Sequence, residues 1–268
     1  FNKKKCAVCN SPLNNKDIIR LNKAPNSAQN FLNKRLKKQN KSIDLIIKEC
    51  SGCHLVQTIN KPVKYYKKVI RAVEFSPSMM RYRLIQLKNF KNKFSLNNKK
   101  IIEIGSGSGA YLSILSNIFK DSYGLEYSKK EFINSKMKKL KVINDFMDFD
   151  KKILKGHNFS AFFIFSYLEH IPNINKFLHA IKFNLNENAV GLIEVPNFDM
   201  ILKKQLYSEF IIDHLYYFTK KTLKRTLELN GFDVIEVKSI WDEYIISATV
   251  IKRSNLKLDN IKSYFKDC

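Results

Sequence analysis

The stretch Ile101–Leu112, "IIEIGSGSGAYL", decides the fold. It opens as an apolar strand, turns through three alternating glycines and continues as an apolar helix. Gly105 permits the tight turn, Gly107 lets a ligand approach the backbone, and Gly109 lets the helix pack on the strand. Glycines in a strand-to-helix turn can be structural, but three in alternation point to a bound ligand.

Downstream of this loop, strand and helix patterns alternate. "SYGLEY" (122–127), "KVIND" (141–145), "FSAFFIFSYLEHI" (159–171) and "AVGLIEVPN" (189–197) read as strands. Between and after them, "KKEFINSKMKKL" (129–140), "INKFLHAIKFNL" (174–185) and "KKTLKRTLELNG" (220–231) read as helices, the last with Thr219 as N-cap and Gly231 just past its end. "FDVIEVKSI" (232–240) and "YIISATVIKR" (244–253) follow as strands joined by a short turn. Alternation predicts a parallel, doubly wound α/β sheet, and the direct connection predicts one final antiparallel strand. Upstream, Ser76-Pro77 reads as an N-cap and first helical position. The following helix carries Met80, Leu84, Leu87 and Phe94 as its apolar stripe. The predicted organisation is residues 1–60 as a small cysteine-bearing domain, 61–95 as a helical connector and 96–268 as the α/β domain.

The loop alone fits two cofactors. With Ala110 it matches the dinucleotide fingerprint, and with Glu103 as a leading acid it matches the acid-x-G-x-G-x-G loop of S-adenosylmethionine (SAM) methyltransferases. Glu126 ends the next strand, where a carboxylate accepts hydrogen bonds from a ribose diol. Three features favour SAM. Glu103 would place negative charge where a pyrophosphate must sit, whereas SAM brings a cationic amine and sulfonium. Asp145 and Phe146 follow the third strand, suited to the amino group and face of adenine. A closing strand pair is the ending typical of class I methyltransferases.

Four of five cysteines form two close pairs, Cys6/Cys9 in "CAVC" and Cys50/Cys53 in "CSGC". Each pair sets two thiolates on one tight knuckle, as tetrahedral zinc–sulfur geometry requires. Four thiolates leave no open position, so the zinc would be structural. The polar run "NKRLKKQNKS" (33–42) reads as loop or short helix, and the segment shows no long apolar face, so it is expected to fold around the metal. Cys268 reads as idle.

Lys and Arg number 48 against 24 Asp and Glu, a net charge of +24. The excess is mostly Lys, spread through helical segments and accompanied by abundant Asn, Ile and Phe. It reads as a solvated surface more than a nucleic-acid footprint, with an anionic substrate as the alternative. No apolar run reaches the roughly 18 residues that span a bilayer, and no secretory signal is visible. Both absences point to the cytoplasm.

This order resembles the sugar C-methyltransferase-like family: a zinc-binding N-terminal domain, a class I SAM core and a C-terminal segment. The resemblance rests on "CAVC", "CSGCHLVQ" after "APNSAQNF", "YYKKVIRAVEFSPSM", "IEIGSGSG", "SYLEHIPN" and "DHLYYFT". It implies methylation of deoxysugars attached to a nucleoside diphosphate. It also implies a catalytic base at His214, with support from Asp213 and from His170. The sequence departs from the family's His-Glu-His-Leu-x-Tyr-Phe motif. Ile212 replaces the first His, Asp213 shortens the Glu, and Ile211 stands where the family has Tyr. The acceptor atom can therefore be oxygen or nitrogen as well as carbon. Methylation of RNA and a SAM-binding scaffold without activity are the rival readings.

Overall fold

The computed structural model describes residues 4–28, 42–68, 76–147 and 153–253. The polar stretch 33–41, the connector's 69–75 and Cys268 lie outside the described residues. In chain order the elements are β1 (Ile19–Pro25), β2 (Ser42–Glu49), β3 (Val56–Thr58), α1 (Pro77–Lys93), β4 (Lys100–Ile104), α2 (Ala110–Ile118), β5 (Asp121–Leu125), α3 (Lys129–Met137), β6 (Val142–Ile143), β7 (Phe159–Phe165), α4 (Ile174–Phe183), β8 (Leu185–Pro196), α5 (Phe198–Lys203), β9 (Tyr216–Tyr217), α6 (Lys220–Leu229), β10 (Phe232–Ile240) and β11 (Ile245–Lys252). Short 3-10 turns occupy Tyr66–Lys68, Leu168–His170 and Tyr207–Glu209.

The larger sheet has seven strands in the order β10-β11-β8-β7-β4-β5-β6. Strands β6, β5, β4, β7 and β8 run parallel, and β11 lies antiparallel between β8 and β10. This is the expected α/β doubly wound sheet with its antiparallel ending. The connection from β4 leads to β5 on one side, while β7 pairs on the other. The strand order therefore reverses beside β4, and a crevice opens at the carboxyl end of the strands there. Central strands are apolar on both faces because helices cover both. Ile102, Ile104, Phe162 and Ile164 pack into one core layer, and Ile101, Ala161, Phe163 and Phe165 into the other.

Local signals fix the helices. Ser76 caps α1 by accepting from the Met79 N–H, and Thr219 and Thr222 form a reciprocal capping box on α6. Gly231, at φ 85°, lets the chain leave α6. The stripe expected on α1 is corrected in part. Leu87 is buried, but Met80 is 45% exposed, and the inward face is Arg83, Leu87 and Phe90. Arg83 turns that face inward because its guanidinium pairs with Glu194 on β8.

The cysteine-bearing segment also differs from expectation. It forms a four-stranded antiparallel sheet, β1-β2-β3-β9, whose last strand comes from the far end of the chain. It does possess an apolar face. Leu45, Ile47 and Val56 are buried with Val63, Phe198, Ile201, Phe210, Ile212 and Tyr217. Each such side chain contributes about 1.5–3 kcal/mol when fully buried. The expected lack of an apolar face overlooked the period-2 pattern of "SIDLIIKE". Among the described residues, no helix is long and apolar enough to cross a membrane.

Candidate functional site

The glycine loop and Glu126 form one unit. Gly107 lies at φ 55°, in the left-handed region that favours glycine, and an ideal Cβ there meets no atom within 4 Å. The backbone is thus open to a ligand at that residue. The Glu126 carboxylate, 8% exposed, accepts from the Gly107 N–H at 2.8 Å and from the Ser128 N–H at 2.6 Å. A Cβ on Gly109 would fall 2.5 Å from Leu140 Cδ1, so its bare backbone lets α2 approach the α3–β6 connection. The expected packing of that helix on its strand is instead a close approach to this neighbouring segment. Glu103 is fully buried in β4, two residues before Gly105.

Asp145 and Phe146 lie just past β6. Asp145 Oδ1 accepts from the Phe146 N–H at 2.8 Å. Phe146, 5% exposed, meets Tyr127 edge-on at 5.9 Å and Tyr66 edge-on at 5.8 Å. Lys67 Nζ lies 4.8 Å from the Phe146 ring centre and 5.2 Å from that of Tyr127. Tyr127 and the Tyr66–Lys67 turn were not anticipated. Tyr127 directly follows Glu126, which was the available signal.

The second half of the site begins at the end of β7. The Tyr167 ring lies on Gly105, 2.7 Å from where a Cβ would stand. The next turn carries Glu169 and His170, both buried. The Leu215 N–H donates to the Glu169 carbonyl at 2.8 Å, which draws the "DHLYY" stretch against this turn. The imidazoles of His170 and His214 then lie with ring centres 5.0 Å apart. His170 Nδ1 is 2.9 Å from the Asp213 carbonyl, and His214 Nδ1 is 3.1 Å from the Glu209 carbonyl. A carbonyl only accepts, so each Nδ1 carries the hydrogen and each neutral ring keeps its Nε2 lone pair. Glu169 Oε1 is 3.9 Å from His170 Nε2. One donor atom each from Glu169, His170 and His214 lies within 4.8 Å of the others. Burial holds the His214 pKa down at about 4, against a weaker upward pull from the Glu209 carbonyl.

Asp213 points away from this pair. Its Oδ1 accepts from Tyr65 Oη at 2.7 Å, and the same hydroxyl contacts Ser27 Oγ at 3.0 Å and accepts from the Ala28 N–H at 3.2 Å. Burial pushes the Asp213 carboxyl up from its ordinary value. Tyr216 and Tyr217 are buried, and their hydroxyls donate to the carbonyls of Pro172 and Ile211 at 3.0 and 3.5 Å. They pack and pair in β9. Sequence reading missed Tyr65, Glu169 and Glu209, which are brought in from three separate segments.

The four paired cysteines are brought together and buried. Cys6 Sγ and Cys53 Sγ are 3.6 Å apart, Cys9 Sγ and Cys50 Sγ 3.3 Å apart, and all four sulfurs lie within 4.8 Å of one another. Tetrahedral zinc with bonds near 2.3 Å sets its sulfurs about 3.8 Å apart, so the cluster fits that ion. The two knuckles repeat one design. The Asn10 N–H donates to the Cys6 carbonyl and the His54 N–H to the Cys50 carbonyl, both at 3.1 Å. Asn10 and His54 both adopt left-handed backbone, at φ 64° and 62°. The N–H groups of Val8, Gly52 and Cys53 point at sulfur, at 3.3–3.4 Å. Gly52 admits the opposing knuckle, since a Cβ there would lie 2.4 Å from Ser11 Oγ.

Residues 78–237 match a family described as "Methyltransferase domain", which spans more than half of the chain. The chain belongs to the methyltransferase-domain family. No curated protein matches it by sequence. Solved structures of the same fold include a SAM-dependent methyltransferase from Clostridium acetobutylicum (12% identity, 70% of this chain and 96% of that one, TM-score 0.54). Another is a SAM-dependent methyltransferase from Aquifex aeolicus (18% identity, 67% and 100%, TM-score 0.50). A third is SAM-bound CalS10, an amino pentose methyltransferase from Micromonospora echinaspora (12% identity, 69% and 100%, TM-score 0.50). The chain is thus a SAM-dependent methyltransferase. Its residues fit that cofactor: open backbone at Gly107, a buried carboxylate at the end of β5 and aromatic rings beyond β6.

Proposed function

We propose that this methyltransferase modifies a nucleotide-linked sugar or a related precursor of surface polysaccharide in the cytoplasm. Bound SAM supplies a methyl group on a sulfonium leaving group. Gly105, Gly107 and Gly109 would carry the cofactor, with Glu126 at its ribose, Glu103 at its cationic end and Asp145 and Phe146 at its adenine. That methyl group would pass to the acceptor's oxygen, nitrogen or carbon, with the sulfur keeping the bonding electron pair. The acceptor proton passes to the Nε2 lone pair of His214, with His170 as its neighbour and Asp213 bracing the acceptor wall through Tyr65. Alignment of nucleophile and methyl supplies most of the rate, and the base adds its share.

One observation carries this reading. Two imidazoles with fixed tautomers stand at the carboxyl edge of the sheet, linked through Tyr167 to the glycine loop. Such a pair suits an acceptor that must lose a proton as it is methylated. The substrate class rests on the motifs of the sugar C-methyltransferase-like resemblance. Structural zinc on Cys6, Cys9, Cys50 and Cys53 would hold residues 1–60 as a small domain, with 61–95 as connector and 96–268 as the catalytic domain. A mass-spectrometric screen of sugar nucleotides with SAM tests the proposal. Growth of one nucleotide-sugar ion by a methylene mass supports it. Methylation confined to base-free sugars or to RNA overturns it.

RNA is favoured by one other feature. Lys136, Lys139, Lys141 and Lys155 gather around Tyr123 in a groove of about 520 Å³ beside β6. Tight RNA binding that weakens steeply with salt would select that reading.

A further inference from the structure

The chain's one tryptophan is not in the core. Trp241 lies half-buried at the start of the turn between β10 and β11. Trp241, Asp242 and Glu243 all adopt left-handed backbone, at φ 54°, 51° and 65°. None is glycine, and consecutive left-handed residues are costly for side chains with a Cβ. The surroundings hold this turn in place. Asn197, 4% exposed, donates through Nδ2 to the Glu243 carbonyl at 2.7 Å and through its N–H to the Tyr244 carbonyl at 2.8 Å. Tyr244 Oη donates to Glu209 Oε1 at 2.8 Å.

These bonds place the turn beside the acceptor site. Ile245 pairs with Pro196, so the turn stands at the carboxyl end of β8, the same end of the sheet as the histidines. Glu209 joins the two directly: its carboxylate takes Tyr244, and its carbonyl takes His214. Opposite Trp241 is Tyr82 of α1, half-buried, with ring centres 5.8 Å apart and planes inclined by 59°. Helix α1 is fixed beneath this pair by a buried network. Arg83 pairs with Glu194, and Gln86 Nε2 and Ser247 Oγ donate to Glu194 Oε1 at 2.7 and 3.1 Å. Two half-buried aromatic rings are therefore held on fixed elements, with the Trp241 turn at the same end of the sheet as the histidines. The acidic turn is countered by Lys203, 3.9 Å from the Glu243 carboxylate.

We infer that Trp241 and Tyr82 form a stacking subsite for the planar base of the acceptor, so that the nucleotide portion anchors there while its sugar reaches the histidine pair. This rests on the nucleotide-linked reading above and assigns its base to named residues. Rings held by tight elements offer a large contact face at little ordering cost.

The lone tryptophan is its own probe. The full chain, saturated with S-adenosylhomocysteine, is titrated with a pyrimidine nucleoside diphosphate, with inorganic pyrophosphate and with glucose 1-phosphate. The nucleoside diphosphate should quench Trp241 emission saturably, while the two base-free compounds leave it unchanged. By calorimetry, Trp241→Ala should weaken nucleotide binding about tenfold or more, and Trp241→Phe should stay within a few-fold. Unchanged affinity of both variants for S-adenosylhomocysteine shows that they are folded. Equal quenching by pyrophosphate, or undiminished nucleotide affinity in Trp241→Ala, overturns the subsite. If the wild type methylates a nucleotide sugar and Trp241→Ala does so with the same KM, only the subsite falls. If the wild type binds no nucleoside diphosphate and methylates a base-free sugar, the substrate class falls and the subsite with it.

Discussion

The two halves of the site are built in different ways. On the cofactor side, the loop from Gly105 to Gly109 and the carboxylate of Glu126 lie about 20 residues apart and are joined by one hydrogen bond from Gly107. On the proposed acceptor side, Tyr65, the Glu169–His170 turn, Glu209, His214 and Tyr244 come from separate segments of the chain and are joined by bonds between those segments. The loop and its carboxylate belong to one continuous β4–α2–β5 run. The acceptor half exists only when the small sheet borrows β9 from the "DHLYYFT" stretch. Damage to the small sheet should therefore strike the acceptor half first.

The largest effect should come from breaking the cysteine cluster. Elemental analysis of the purified chain should find one zinc per molecule, and Cys50→Ser should lose it, because three thiolates and a hydroxyl hold the ion poorly. Loss of the ion should loosen β1–β3, the Val56–Tyr217 pairing and the Tyr65–Asp213 contact. Turnover should collapse while SAM affinity, measured by calorimetry, changes little. A chain purified without chelator and devoid of metal would show that no ion on Cys6, Cys9, Cys50 and Cys53 anchors the small sheet.

His214→Asn comes next. Removing the proposed base should cut turnover by about 10²–10⁴-fold with SAM affinity preserved. If turnover survives within a few-fold while His170→Asn abolishes it, the proton goes to the turn after β7. His214 then serves only as a bond to the Glu209 carbonyl.

Legibility in the sequence follows the same division. The sheet, its antiparallel ending and the loop were readable because glycine spacing and apolar alternation are local. So were the knuckles, since Cys-x-x-Cys carries its own geometry. The apolar face of the small sheet was not readable, because its partners Phe198, Ile201 and Phe210 lie some 150 residues away in the chain. "FIIDHLYYFT" was readable in only one of its roles. The His and Asp stood out as chemistry, but Asp213 spends its carbonyl on His170 and its carboxylate on Tyr65. Nothing local in the sequence shows that Tyr216 and Tyr217 are strand residues of a different sheet. Trp241 and Tyr82 meet across 159 positions, a distance no period spans.

A smaller effect sharpens the cofactor half. Glu126→Ala should lower SAM affinity at least about tenfold, since it removes the proposed contacts to the ribose and also the acceptor that holds Gly107 and Ser128. Glu126→Gln separates the two roles. An amide keeps one acceptor oxygen for the loop but turns an NH₂ group toward one of the two N–H donors. Its affinity should fall between wild type and alanine. Equal loss in both variants would mean that the charge acts on the cofactor directly. No loss in either would move the ribose off β5.

The smallest effect is a pH change that leaves turnover flat where an ordinary histidine would titrate. Burial disfavours the imidazolium and holds His214 at about 4. At about pH 5.5 only about 3% of such a group is protonated, against about 90% of an imidazole titrating at 6.5. With saturating substrates, turnover should therefore hold constant from neutral pH down to about 5 and fall with a midpoint near 4. The sign for stability is the same. The unfolded chain takes up a proton at His214 below about 6.5 while the folded chain does not, so His214's contribution is complete above that pH and is lost as the pH falls toward 4. Thermal stability should thus fall over that window in the wild type, and less so in His214→Asn, which has no proton to take up. A turnover midpoint near 6.5 in the wild type would mean that the imidazolium is well solvated and that the acceptor half is more open than its packing around Glu209 and Tyr217 implies.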